Sequence, residues 1–155
     1  MTPVRVYADT SVYGGVFDAE FAPYSAMFFD QVLAGRFDLV VSPVVRRELD
    51  GAPARVIEFF ERSSAGASFA DVTADARGLQ RAYLETGILT AKSSEDALHV
   101  ALATTANCAV LLSWNFKHIV HRDKALRYNA INALHGFPAL DIRAPREVVI
   151  YEEGL

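Results

Sequence analysis

Cysteine is almost absent from this chain: Cys108 is the only one among 155 residues. Without a second thiol neither a disulfide framework nor a thiolate zinc site can form, and this usage fits a reducing cytoplasm. Long apolar runs are missing too. Asp9 interrupts the only early one, Val4 to Ala8, so no signal segment is read there, and nothing approaches the roughly 20 residues needed to cross a bilayer. Positive charge is also scarce: 15 Lys and Arg face 19 Asp and Glu, a formal net charge of −4. That argues against a protein that coats nucleic acid by charge alone. It does not exclude a nuclease, because acids gathered in a metal site count against the total while a bound cation reverses the local field. No Gly-rich phosphate loop with Lys-Ser/Thr occurs, and no strand is followed by G-x-G-x-x-G, so nucleotide-triphosphate and dinucleotide chemistry lack support.

What is present is apolar residue, 52% of the chain, enough for one well-filled core and too little length for two ordinary domains. We read residues 1–155 as a single domain in which strands and helices alternate. Val4 to Ala8 is the first strand. A helix follows Pro23 through Ala26, Phe29, Val32 and Leu33 and stops at Gly35. Phe37 to Val41 is the second strand, after which Ser42 offers an N-cap and Pro43 the first helical position of a short helix carrying Glu48. Pro53 starts another helix, Ser68 to Val72 reads as a short third strand, and Thr73 caps a helix that ends at Gly87. Asp96 to about Ala106 is the most regular helix. Ala109 to Ser113 has the continuous apolar character of a strand buried on both faces of a parallel sheet. A helix from Arg122 to Leu134 and a last strand through Val148, Val149 and Ile150 complete the chain. The alternation predicts an α/β fold with a largely parallel sheet.

Four polar residues fall at the edges of these elements: Asp9, Glu48, Asp96 and Asn115. In open α/β sheets the carboxyl ends of the strands are where ligands bind, and Asp9 sits at one such end. Brought together, three acids would repel one another unless a cation lay between them, and hard divalent cations favour oxygen ligands of this kind. Each residue also has a purely structural reading. Asp9 can cap the turn at Ser11, Glu48 can be a surface helix residue, and Ser93-x-x-Asp96 has the spacing of a capping box. Asn115 can be an ordinary loop residue, and His99 a packing residue whose ring holds a carboxylate in place. His118 and His121 have the look of a zinc pair but lack a third ligand.

The joint pattern is more specific than its parts. Val6-Tyr7-Ala8-Asp9-Thr10-Ser11, Val45-Arg46-Arg47-Glu48-Leu49, Asp96-Ala97-Leu98-His99-Val100-Ala101-Leu102-Ala103 and Leu112-Ser113-Trp114-Asn115-Phe116-Lys117-His118-Ile119 occur in the order and spacing of the PIN-domain motifs. The chain resembles in particular the VapC-like toxins of that family, over nearly its whole length. The resemblance implies a three-layer α/β/α sandwich and an acidic pocket that binds Mg²⁺ or Mn²⁺ and hydrolyses RNA. By position, Asp9, Glu48 and Asp96 match the family's acids, and Asn115 stands where an acid is often found. An amide there brings no charge, which weakens any second metal site. Thr10 and Ser11 would hydrogen-bond a metal-bound water or a phosphate. An antitoxin partner and a homodimer are implied in the same way.

Arg46, Arg47, Lys117, Arg122 and Lys124 are candidates to hold flanking RNA phosphates, and Trp114 or Phe116 to stack on an unpaired base. Two other classes stay open beside the ribonuclease. One is a PIN-like module with a weakened pocket that binds RNA or a protein without cleavage. The other is a haloacid-dehalogenase-like phosphatase, which wants a second Asp where this chain has Ser11.

Overall fold

The structure, a computed structural model, describes residues 2–151. The chain runs β1 (Val4–Ala8), α1 (Thr10–Gly15), α2 (Ala22–Leu33), β2 (Phe37–Val41), α3 (Pro43–Glu48), α4 (Ala54–Ser63), β3 (Ser68–Phe69), α5 (Ala74–Glu85), α6 (Ser94–Thr105), β4 (Val110–Leu112), α7 (Arg122–Leu134) and β5 (Asp141–Arg143). Single 3₁₀ turns precede α6, at Ala91–Ser93, and follow β5, at Pro145–Glu147.

All five strands are parallel, in the order β3-β2-β1-β4-β5. Parallel neighbours need crossover connections, and the helices supply them on the faces of the sheet. Aromatic contacts tie α1, α2 and α4 into one group, with Tyr13 against both Phe29 and Phe60. On the other side Tyr83 of α5 meets Tyr128 of α7 edge-on, and Asn132 of α7 bonds Thr104 of α6. The result is the α/β fold with a parallel sheet that the strand–helix alternation predicted, in the three-layer α/β/α sandwich that the family resemblance implied. The middle strands β1 and β4 are apolar apart from Arg5 and nearly inaccessible from Val6 to Ala8 and from Val110 to Leu112, as expected of strands covered on both faces.

Local signals account for most boundaries. The Ser42 hydroxyl accepts from Val45 N–H at the start of α3, and the Thr73 hydroxyl accepts from Ala76 N–H at the start of α5. Gly35 and Gly87 end α2 and α5 at φ +81° and +77°, a conformation that a side chain would strain.

Three segments differ from the sequence reading, the first of them one to which it assigned no element. Thr10–Gly15 is helical despite Gly14 and Gly15, because Asp9 caps it and Tyr13 and Val12 are driven into the core. The predicted last strand at Val148–Ile150 does not pair; the fifth strand is Asp141–Arg143 instead. Val149 is apolar because it is buried, and the Ile150 backbone finds its partner in a side chain, the Gln31 amide, which both accepts from Ile150 N–H and donates to its carbonyl. A satisfied backbone has no need of a sheet edge. The third strand is also shorter than expected, with Ala70 making one last bond to Val41.

Candidate active site

The strand order reverses between β1 and β4, and the crevice outside their carboxyl ends is the usual ligand site of an open α/β sheet. The register pairs Ala8 with Leu112, so Asp9 and Ser113 leave the sheet side by side. Asp9 is buried and accepts three hydrogen bonds: Ser11 N–H at 3.0 Å and the Ser11 hydroxyl at 2.5 Å on Oδ1, and the Ser113 hydroxyl at 2.5 Å on Oδ2. Burial pushes its pKa up; the nearby His99 and the two hydroxyls pull it back, Glu48 adds to the rise, and the net effect is a raised value.

Glu48 ends α3, with 31% of its side chain exposed. Its Oε1 accepts from the Thr10 hydroxyl at 2.7 Å and from His99 Nε2 at 2.5 Å. Burial alone would raise its pKa, but the hydrogen bond and charge of His99, the Thr10 hydroxyl and Arg47 outweigh it and the value is lowered. Asp96 lies in the first turn of α6, partly buried. Burial pushes its carboxyl up, His118, His99 and the Asn115 amide pull it down, and Glu48 raises it further; the net shift is upward.

Glu48 therefore lies close enough to Asp9 and to Asp96 to raise the pKa of each. The structural alternatives divide among them. Asp9 does cap α1 through Ser11. The capping box at Asp96 does not form, since the Ser93 side chain makes no cap bond and instead meets His118 Nε2 at 3.3 Å. Asn115 spends its side-chain oxygen on His118 N–H at 2.9 Å, closing the turn after β4. The hydroxyl hydrogens of Thr10 and Ser11 go to Glu48 and Asp9. His121 caps α7 by accepting from Lys124 N–H, so the two histidines do separate work.

Of the basic candidates, Arg47 is paired with Glu95 at 2.5 Å and Arg46 lies over the Phe60 ring at 5.6 Å. Lys117, Arg122 and Lys124 make no ion pair among the described residues. Trp114 is core: it stacks on Phe21 at 4.2 Å and its indole N–H donates to Ser25. Phe116 is exposed, with the Arg146 guanidinium 5.9 Å from its ring. Ser113 and Tyr7 had no assigned role in the sequence reading, and Ser42 only that of an N-cap. Their hydroxyls reach the site only through the strand register and the packing of α6 on the sheet.

The donor set fits a hard divalent cation. Asp9 and Asp96 are carboxyls whose ionised form is disfavoured by burial and by the charge of Glu48, and a cation would reverse both effects. Among the described residues no three acidic, His or Cys side chains converge into a ready ligand cage. Mg²⁺ commonly dispenses with one, keeping several waters and taking one or two carboxylates plus substrate phosphate.

No family model and no curated protein matches the chain. Among solved structures it is similar to a chain in the crystal structure of VapBC2 from Rickettsia felis bound to a DNA fragment from their promoter. The identity is 15% over 91% of this chain and 98% of that one, with a TM-score of 0.60. The fold is thus PIN-like, as the order of the motifs implied.

Proposed function

We propose that this protein is a divalent-cation-dependent endoribonuclease, the toxin of a toxin–antitoxin pair. The observation that carries the reading is Glu48 close enough to both Asp9 and Asp96 to raise the pKa of each, with Asp9 at the carboxyl edge of the sheet where the strand order reverses between β1 and β4. The likeness to a VapBC2 chain supports the toxin class and an antitoxin partner, and a homodimer is what the family resemblance implies.

Asp9 and Asp96 would hold Mg²⁺ or Mn²⁺. The ion supplies neutralisation of charge at the phosphate and a lowered pKa for water. Ser11 and Ser113 favour the ionised form of Asp9 by donating to both of its oxygens, against the burial that raises its pKa. Glu48, held anionic by His99 and Thr10, accepts a proton or orients the attacking water in line with the scissile bond. Attack by water with departure of the 3′ oxygen would leave a 5′-phosphate and a 3′-hydroxyl, the products the family resemblance implies. Lys117, Arg122 and Lys124, which make no ion pair among the described residues, would bind phosphates of a single-stranded or looped RNA, and Phe116 offers an exposed ring to a base.

A second reading, a PIN-like module that binds RNA or a protein without cleavage, is favoured by one detail: the Asn115 oxygen is spent on a turn. Calorimetric titration of Mn²⁺ into metal-free protein, wild type beside Asp96→Asn, separates the two. Saturable binding lost in a folded variant, followed by Mn²⁺-dependent RNA cleavage, supports the nuclease. RNA binding that survives chelation, with no Mn²⁺ uptake, supports the module.

A further inference from the structure

A hydrogen-bonded chain runs beneath the acids. The Ser42 and Tyr7 hydroxyls lie 2.7 Å apart, Tyr7 OH lies 2.7 Å from His99 Nδ1, and His99 Nε2 lies 2.5 Å from Glu48 Oε1. It starts at the N-cap of α3, crosses β1 and α6, and returns to the last residue of the same short helix. Both ring nitrogens are engaged in a side chain only 2% exposed, which leaves the imidazole no room to turn.

The direction of the last bond is set by chemistry. An ionised carboxylate can only accept, so Nε2 carries a hydrogen whether the ring is neutral or cationic. The other end adapts, because the Tyr7 hydroxyl can donate to Nδ1 or accept from it, and Ser42 can reverse with it. Oε1 of Glu48 is thereby occupied twice, by His99 and by Thr10. Oε2 receives no hydrogen bond among the described residues. Unrestrained, a partly exposed glutamate at a helix end would sample several rotamers.

We infer that His99 is a positioning residue: anchored by Tyr7 and Ser42, it clamps Oε1 of Glu48 and so presents Oε2 alone to the cation or its water. The inference rests on the cation-dependent reading above. His99 touches neither substrate nor ion and acts through Glu48. Metal sites depend on such outer hydrogen bonds for the orientation of their ligands.

The test compares His99→Gln, which keeps an N–H at similar reach, with His99→Leu, which keeps the volume without a donor. Circular dichroism and thermal melting establish folding, and Mn²⁺ calorimetry is the readout. Leu should weaken Mn²⁺ binding by about tenfold to a hundredfold, and Gln should stay within about threefold of wild type. In ¹⁵N–¹H spectra of the metal-free wild type, the His99 ring should show a protected Nε2–H. Should the Leu variant not fold, Tyr7→Phe serves in its place: it frees Nδ1 and should weaken Mn²⁺ binding by about threefold to tenfold. A folded Leu or Phe variant that binds like wild type, or a Gln variant as weak as Leu, overturns the inference while leaving the cation site standing. Absence of Mn²⁺ binding by the wild type itself overturns the underlying reading.

Discussion

The Ser113 hydroxyl donates to Asp9 Oδ2 at 2.5 Å, joining residues 104 positions apart that leave adjacent strands side by side. The same Ser113 oxygen accepts from Asn115 N–H, so one hydroxyl links the first acid to the turn after β4.

Ser113→Ala should make cation binding more sensitive to acid. Burial already raises the Asp9 pKa, and the Ser113 bond is one of the groups holding it down, so its loss moves the carboxyl further up. A cation must displace that proton. Mn²⁺ affinity should fall relative to wild type at pH 5.5 and approach it at pH 8, as calorimetry at the two values would show. The sign for folding is the reverse of that for a salt-bridged acid. A carboxyl with a raised pKa binds its proton in the folded state first, so its contribution to stability is present in acid and lost as pH rises through the folded value. The metal-free variant should therefore lose more stability than wild type between acid and neutral pH.

Gly15→Ala should destabilise by about 1–3 kcal/mol, although alanine is the better helix former by about 1 kcal/mol. A Cβ there would stand 2.7 Å from both Ser25 Oγ and Trp114 Nε1, in the middle of their hydrogen bond. Overpacking in a filled core outweighs the gain in propensity. Urea unfolding measures the loss, and a red shift of the single tryptophan's fluorescence would show that the indole has moved.

Tyr83→Phe should cost about 1–3 kcal/mol, because it strands a buried acceptor. Tyr83 donates to the Asn132 side-chain oxygen, and the Asn132 amide donates to Thr104 and Asn129, so one network joins α5, α6 and α7. Asn132→Ala combined with Tyr83→Phe should destabilise by less than the sum of the two changes, since they remove the same bond. A double-mutant cycle in urea tests this.

Lys117→Ala and Arg122→Ala should each weaken RNA binding uniformly across sequences and lower the slope of log affinity against log salt by about 0.7. Arg47→Ala should do less in both respects, since its guanidinium is already engaged by Glu95. Fluorescence anisotropy with a labelled single strand at several salt concentrations measures all three. Equal slopes for every variant would remove Lys117 and Arg122 from the phosphate contacts.

What the residues determine by themselves is local. β1 and β2 follow from short apolar runs, α3 from Ser42 and Pro43, and α5 from Thr73 and Gly87, because caps and breakers act within a few residues of one another. Asp9, Glu48 and Asp96 were recognisable as acids at element edges for the same reason. Register and pairing were decided only by the tertiary structure. Asp141-Ile142-Arg143 looks nothing like a strand, yet β4 offers it an edge, while the more apolar Val148–Ile150 is bonded by Gln31. Thr10, Ser11 and Asn115 kept their places in the motif but spend their hydrogen-bonding groups on Glu48, Asp9 and His118. The chain from Ser42 through Tyr7 and His99 to Glu48 draws on three separate elements. No local pattern encodes it, because a hydrogen bond between distant residues depends on where packing leaves their donors and acceptors.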